Sequence, residues 1–526
     1  MNGYYYFLNR KNTADGFREA LNGRYYVDKS EVIQVVNSKI STKEKWLCVT
    51  HPRRFEKSMV VEMLASYYTK GCDTDGLFQN LKIHECPTYR EHLNAHNVIY
   101  MSFSGYFENT VSANGGIEKL SECLLHDLQQ KYPEFITDKM ELPVAFDMIQ
   151  PVTGDRFIFL IDEWDTIFRF RKNQKKEQEE FLGFLKLLFK DRTYVELVYM
   201  TGILPIKKYN TGSALNMFRE YTMLESKQMD PYFGFSKEEV KSLCGDEQVD
   251  MLDELTEWYD GYCGMNGTAK YNPRSVVEAL EEGVCRDYWS QTGGFSELEG
   301  YITMDFDGLG ETITRLLGGE EAAVNVFGFS NDLDSFQDKD EVLTALVHLG
   351  YLTVRDGKVR IPNRELLEEF GGTVKRLSWG EVSWLLNQSR KFLNATIQMD
   401  EQAVADMLEG VHDNMHEFKE YNNEHTLKCV IHLAYYAAID QYELKFEESA
   451  GKGIADCIMV PRKAGIPGIV LELKYNGTPE EAIEQIKGRN YVVGLPEWVK
   501  ETLLVGINYN KKTKWHECQM EKVYRV

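Results

Sequence analysis

Several features that the chain lacks narrow what it can be. No run of eighteen apolar residues occurs, so no membrane-spanning helix is expected. The opening Met1-Asn-Gly-Tyr-Tyr-Tyr6 has no charged stretch followed by an apolar one, so no secretory signal is expected either, and a soluble cytoplasmic protein with no membrane partner is the reading. Cysteine pairs are missing: ten cysteines are scattered singly. Cys48, Cys429 and Cys457 fall inside apolar strand or helix patterns, which fits reduced buried thiols rather than a zinc site or a disulfide framework. Positive charge is in deficit, with 60 basic against 82 acidic residues and a formal net charge of -22. Bulk attraction to nucleic acid is thereby excluded, and any such binding must use local patches. Arg169 to Lys176 and Lys511 to Lys514 are the candidates, although a solvated helix end and a hairpin turn explain them equally well. No internal repeat or low-complexity tract is present.

What is present suits a globular chain of about three or four domains, with 43% hydrophobic and 12% aromatic residues among its 526. Gly453-Ile-Ala-Asp456-Cys-Ile-Met-Val460 and Gly468-Ile-Val-Leu-Glu472-Leu-Lys474 are two apolar strand-like runs that carry isolated charges. Charges within apolar strands are costly unless they are paired or hold a metal. Two carboxylates offer hard oxygen donors to Mg²⁺ or Mn²⁺, and a nearby ammonium steadies an attacking water or a developing charge. The alternative for Asp456, Glu472 and Lys474 is a cross-strand Lys–Glu pair beside a solvated Asp. Before these runs, Cys429 to Ala438 reads as a buried helix and Tyr442 to Phe446 as a strand. After them, Thr478-Pro-Glu-Glu481 reads as a capped helix start with a capping box, and that helix leads through Gln485 to Tyr491.

This order of elements and the Asp…Glu-x-Lys spacing resemble the PD-(D/E)xK nuclease superfamily. The resemblance implies that Asp456 and Glu472 hold the metal, that Lys474 positions water and that Gln485 orients substrate or water. Glu448 falls where relatives place a further metal-site carboxylate, with Glu447 beside it as the competing choice. Ala455 stands where the family has Pro.

A second constellation lies nearer the start. The apolar run Lys45 to Thr50 leads into His51-Pro-Arg-Arg-Phe-Glu56-Lys57-Ser58 and then a helical pattern, the layout of a phosphate-binding loop. Phe157-Ile-Phe-Leu-Ile-Asp162-Glu163 is a continuous apolar run ending in two carboxylates, as a central parallel strand delivers a cation-binding Asp and a water-activating Glu. Glu196 to Gly202 is another such strand, and it places Thr201 where a sensor of the terminal phosphate is expected. With Trp258-Tyr-Asp-Gly-Tyr262 and Tyr271-Asn-Pro-Arg-Ser275, these segments resemble the AAA-ATPase-like proteins of bacteria, which often carry a PD-(D/E)xK domain at the carboxyl end.

The resemblance implies an α/β protein with an ATPase-like P-loop domain over 1–225 and a helical lid over 226–300. A winged-helix-like region over 301–385 and a restriction-endonuclease-like α/β domain over 386–526 would follow. Within 301–385 the Asp356-Gly357 pair predicts a hairpin turn, and the acidic run Asp332 to Glu341 reads as exposed linker.

The family loop has Gly where this chain has Glu56, and Arg where it has His51. A glycine there turns with positive φ and lets the backbone approach phosphate. A carboxylate about 4 Å from a phosphate charge opposes binding by roughly 4 kcal/mol at an effective dielectric near 20. Glu56 is therefore expected to narrow the loop and to pair with Lys57, weakening ATP binding, whereas retention of Lys57, Ser58, Asp162 and Glu163 argues for function. The implied activity is a metal-dependent nuclease attached to an ATPase-like module, acting on nucleic acid, DNA ahead of RNA. The competing reading is a non-catalytic binding scaffold derived from an ATPase. Whether copies of the chain associate stays open.

Overall fold

The computed structural model describes all residues except 1–4, 105–112, 138, 173, 207–214, 226, 246–248, 265–266, 290–294, 305, 307, 331, 334, 378–379, 415–423 and 526. The chain condenses into two compact units: residues 1–288 with 323–365, and residues 289–322 with 366–526. The segment expected as a winged-helix-like module, 301–385, is shared between them.

The first unit is built on five parallel strands: β1 (Trp46–Thr50), β2 (Asn97–Ser102), β3 (Phe157–Asp162), β4 (Val195–Gly202) and β5 (Arg219–Thr222), in the order β2-β3-β4-β1-β5. Every residue of β3 is buried, as its unbroken apolar sequence requires of a strand covered on both faces. The carboxyl ends of β1, β3 and β4 lie side by side, so the loop after Thr50, the Asp162-Glu163 pair and Thr201 share one edge of the sheet. Ligands gather at such an edge in open parallel sheets.

Beyond the sheet, Ser236 caps the helix Lys237–Cys244 with a reciprocal capping box through Glu239. The helices Leu252–Tyr259 and Pro273–Glu282 pack with it around Val240, Leu255, Trp258, Tyr259, Tyr271, Val276 and Tyr288. Trp258, Tyr259 and Tyr288 thus form core. Two short strands, β6 (Tyr262–Cys263) and β7 (Ala269–Lys270), pair antiparallel, and β8 (Ala322–Ala323) is similarly brief. The helix Lys339–Leu349 then precedes the hairpin of β9 (Thr353–Arg355) and β10 (Lys358–Arg360). Its two-residue turn has positive φ at both Asp356 and Gly357, the conformation that an Asp-Gly pair favours.

The run Asp332 to Glu341 is not exposed linker; residue 334 lies outside the described residues. Asp338 caps the helix Lys339–Leu349, and the buried Glu341 carboxylate accepts from the backbone N–H groups of Ser330 and Gln337. Acidic residues at a helix start are drawn inward by unpaired N–H groups.

The second unit centres on a mixed sheet of β11 (Tyr442–Ala450), β12 (Gly453–Pro461), β13 (Gly468–Tyr475), β14 (Glu501–Asn510) and β15 (Trp515–Tyr524), paired in chain order. All neighbours are antiparallel except β13 and β14. The helix Pro479–Arg489 makes the crossover that a parallel pair needs. Thr478 starts it with a capping box closed by Glu481, and Ala482, Ile483 and Ile486 are buried on its inner side. Gly506 admits the helix start: a Cβ there would lie 2.3 Å from the Pro479 carbonyl oxygen. The helix Glu424–Ala434 precedes β11.

No helix among the described residues is long and apolar enough to cross a membrane.

Candidate functional sites

At the sheet edge of the first unit, the helix Lys57–Tyr68 starts directly from Glu56, which holds φ 57° and ψ 23°. The left-handed turn expected of a glycine is therefore kept by a glutamate, at a conformational cost of about 1 kcal/mol or more. Arg54 is also left-handed, and one of its guanidinium N–H groups donates to the Tyr288 carbonyl at 2.8 Å. His51 is buried, with its ring stacked on Phe233 at 4.2 Å, and burial holds it neutral.

The Glu56 carboxylate does not pair with Lys57. Its Oε2 is buried without a hydrogen bond, and the charges that act on it belong to Lys29 and Glu239, which are themselves paired at 2.6 Å. The left-handed backbone turns the side chain toward the capping box that opens the lid helix. Burial pushes its pKa up to about 7. Lys57 donates instead to the Pro52 carbonyl at 2.6 Å, and burial lowers it to about 8 against the pull of Asp165, Asp162 and Glu163.

Across from the loop, Asp162 is buried and raised to about 6 by desolvation, with the Ser58 hydroxyl hydrogen-bonded to it. Glu163 is left-handed at φ 54°, and its carboxylate is held by Arg169 at 3.3 Å. Arg169 also lies 3.5 Å from Asp165, whose Oδ2 accepts from the N–H groups of Ile203 and Leu204. Gly202 permits that approach, because a Cβ there would sit 2.5 Å from Asp165 Oδ1. A cavity of about 270 Å³ results, lined by Arg53, Arg54, Lys57, Ser58, Glu163 and Arg169 among others. The lining sets Arg53, Arg54, Lys57 and Arg169 beside the carboxylates of Glu56, Glu163 and Asp165, and the basic residues at a helix N-terminus suit phosphate oxygens.

Thr201 is not poised as a phosphate sensor. It is fully buried and donates to the Val49 carbonyl at 2.9 Å, because the register of β1 and β4 sets the two residues side by side. Asp165 and Arg169 line the cavity, and Thr201 does not. The sequence signal for Asp165 was its position two residues beyond Glu163 at the end of β3. Arg169 was masked by the basic run around it, in which residue 173 lies outside the described residues.

In the second unit, Asp456 on β12 and Glu472 and Lys474 on β13 meet at the crossover helix. Asp456 Oδ2 accepts from the Leu473 N–H at 2.8 Å, which fixes the carboxylate against the neighbouring strand. Gln485 receives the Lys474 ammonium on its Oε1 at 2.6 Å, while its amide N–H groups donate to Glu472 Oε1 and to the Tyr491 hydroxyl. Lys474 itself lies 3.6 Å from Glu472. Burial and then the charge of Asp456 raise Glu472 to about 7. Its Oε2 is buried with no hydrogen-bond partner.

A further cation joins this group. Lys428, on the helix Glu424–Ala434, lies 2.8 Å from Asp456 Oδ1 and 3.4 Å from Glu447 Oε1. Glu447 rather than Glu448 therefore reaches the Asp456 carboxylate, through Lys428; Glu448 has no ion pair with this group among the described residues. Glu447 lies across from Asp456 in the register of β11 and β12, and its backbone is left-handed, with φ 48°. Among the described residues no set of three or more His, Cys, Asp or Glu side chains is gathered as metal ligands. Two acidic residues, Asp456 and Glu472, are gathered, and one carboxylate oxygen, Glu472 Oε2, has no hydrogen-bond partner. An unpartnered buried carboxylate oxygen is expensive unless a cation meets it, and a pair of carboxylates is the donor type that hard divalent ions prefer.

Residues 15–211 match the family described as predicted AAA-ATPase, and residues 422–519 match the PD-(D/E)XK nuclease superfamily. Among curated proteins none matches the chain. Among solved structures, a Walker-type ATPase of Pyrococcus abyssi is 13% identical, with 69% of this chain and 95% of that one covered and a TM-score of 0.32. The ORC2 protein of Aeropyrum pernix, solved in ADPNP and ADP complexes, is 11% identical over 70% of this chain and 94% of that one, with a TM-score of 0.30. At such low TM-scores these likenesses carry no argument about this chain. The two family matches each enclose one of the two sites, and the chain joins a domain of the AAA-ATPase-like family to a domain of the PD-(D/E)XK nuclease superfamily.

Proposed function

We propose that the carboxyl-terminal domain is a metal-dependent nuclease and that the amino-terminal domain binds ATP weakly. The observation that carries the nuclease reading is the buried, unpartnered Oε2 of Glu472 beside Asp456 and Lys474. Asp456 and Glu472 would hold Mg²⁺ or Mn²⁺. Such an ion, when bound, supplies Lewis acidity toward a phosphodiester and its attacking water.

The remaining work falls to side chains. Lys474, steered by Gln485, presents an ammonium to the water or to the charge that develops on phosphate. Gln485 holds Glu472 and Lys474 in one orientation, with Tyr491 fixing the amide from behind. The Leu473 N–H keeps Asp456 aimed away from its own strand.

For the amino-terminal domain, Lys57 and Ser58 would meet phosphate and its cation, Asp162 would take the cation through Ser58, and Glu163 would orient water once it leaves Arg169. Thr201 has no part in this proposal. Nucleic acid, DNA ahead of RNA, is the proposed partner, and the exposed turn at Lys511 to Lys514 between β14 and β15 is the basic feature that supports it. We also propose a cytoplasmic setting and the division into an ATPase-like domain, a lid, a middle region and a nuclease domain.

The test is a cleavage assay on single- and double-stranded DNA and RNA with Mg²⁺ or Mn²⁺, with and without ATP. Metal-dependent cutting by the native protein and not by Glu472→Ala is the expected result. No cutting of any substrate would favour a non-catalytic scaffold.

A further inference from the structure

The Asp456 carboxylate is already engaged by a cation that belongs to the chain. Lys428 is placed to do this by three features. It lies four residues before His432 on the helix Glu424–Ala434, so the two share a helix face. His432 anchors that face: its Nδ1 meets the Gly318 carbonyl at 2.6 Å, and its ring packs on Phe446 with centroids 3.7 Å apart. On the other side, Glu447 falls between the paired residues Phe446↔Cys457 and Glu448↔Ala455, which sets it across from Asp456. Its left-handed backbone interrupts the ladder there, and its carboxylate and that of Asp456 both reach Lys428. Backbone strain next to a carboxylate pair marks a place the surrounding structure over-determines.

We propose that Lys428 competes with the divalent ion for Asp456, so that metal loading requires the ammonium to leave Asp456 Oδ1 and remain on Glu447. This rests on the metal-site reading above and assigns Lys428 a positioning role within it. Two cations cannot share one carboxylate oxygen without mutual repulsion in a partly desolvated site. Lys428 also explains why this carboxylate tolerates burial before an ion arrives: the ammonium balances it. Glu447 is what keeps the displaced ammonium close, ready to neutralise the site again when the ion departs. The consequence is a weak, exchangeable metal site, which Lys428 tunes without being a ligand.

Mn²⁺ binding to the full-length protein without nucleic acid, followed by electron paramagnetic resonance and by calorimetry, tests this. Lys428→Met removes the charge and keeps the length of the side chain. It is expected to bind Mn²⁺ at least tenfold more tightly than the native protein, equivalent to about 1.4 kcal/mol, whereas Lys428→Arg stays within threefold of native. Circular dichroism of each variant establishes that the fold is retained. Unchanged or weaker Mn²⁺ affinity in folded Lys428→Met would overturn the competition while leaving the metal site standing. Mn²⁺ binding that Asp456→Asn does not reduce, in either the native or the Lys428→Met background, would remove the metal-site reading itself, and the competition with it.

Discussion

The two sites are built from the same small vocabulary, lysine beside paired carboxylates, yet they solve the problem of buried charge in opposite ways. At the nucleotide loop Lys57 finds a neutral partner, the Pro52 carbonyl, and the neighbouring carboxylates are divided among Ser58, Arg169 and backbone N–H groups. At the β12–β13 site each carboxylate is matched with an ammonium, Lys428 on Asp456 and Lys474 near Glu472, and a single oxygen is left over. The first arrangement sets four basic side chains among carboxylates around a cavity at a helix N-terminus. The second leaves one carboxylate oxygen, Glu472 Oε2, buried and unbonded. A site's unmet demand, more than its residue list, indicates which ligand it takes.

The largest effect expected from breaking this contrast is at Glu472. Glu472→Ala removes both the orphaned oxygen and the group that Gln485 and Lys474 are organised around, so metal-dependent cleavage should fall by more than about a hundredfold. Initial rates on a labelled DNA substrate at saturating Mn²⁺ measure it. A loss of only a few fold would mean that the demand is met elsewhere and the acidic site is structural.

How far such demands could be read before the structure differs between the regions. The strand Phe157–Asp162 and the capped helix after Thr478 were legible because a long apolar run and a capping box are local signals. The grouping of Asp456, Glu472, Lys474 and Gln485 followed from the resemblance in element order. Lys428 was invisible because it sits just before the apolar stretch that defines its helix, where a lysine reads as solvated. The choice between Glu447 and Glu448 turned on backbone geometry, the register of β11 against β12 that sets Glu447 across from Asp456. Glu56 was misjudged for the same reason: its charge was plain, but its backbone conformation sends the carboxylate toward Lys29 and Glu239 rather than Lys57. Thr201 stood at the right strand end, and only the register with Val49 revealed where its hydroxyl goes.

Gln485→Ala probes how much of the acidic site depends on orientation. The amide joins Lys474, Glu472 and Tyr491, and losing a partner that orients ligands typically costs about 10- to 100-fold. The cleavage rate should fall by that amount while Mn²⁺ affinity falls less, because both carboxylates remain. Equal losses in rate and metal affinity would show that Gln485 preserves the site's shape and nothing more.

On the basic side, Glu56→Gly should tighten ATP binding by about tenfold, or roughly 1.4 kcal/mol, since it relieves the left-handed strain and removes a charge near the phosphates. The pH dependence has a definite sign. With a pKa of about 7, Glu56 is mostly protonated at pH 6 and mostly charged at pH 8, so ATP affinity in the native protein should decline as pH rises across that interval. Glu56→Gln, which cannot ionise, should show a flatter profile. The same raised pKa means that the folded state holds a proton the unfolded chain releases nearer 4.5, so this group's contribution to stability declines as pH rises from about 4.5 to about 7 and levels off above that. Calorimetric titrations at both pH values decide it. A flat native profile would mean that the carboxylate lies too far from the phosphates to matter, and that the loop's departure from its family is silent.

The smallest expected effect asks whether the acidic site leans on its scaffold. Thr478 caps the crossover helix by accepting from the Glu481 N–H at 3.2 Å, while Glu481 returns a bond to the Thr478 N–H at 3.1 Å. Thr478→Ala removes one half of that exchange and should cost about 1 kcal/mol, which for a unit of this size lowers the melting temperature by roughly 2–4 °C. Gln485 lies two turns further along the same helix, where fraying of the first turn has died away, so cleavage at 25 °C should change by less than about twofold. The thermal melt and the cleavage rate, measured on one preparation, separate the two contributions. A large loss of activity with the small loss of stability would show that the cap holds Gln485 in register with Glu472 and Lys474, and that the acidic site, unlike the phosphate loop, is set by the start of a helix it does not touch.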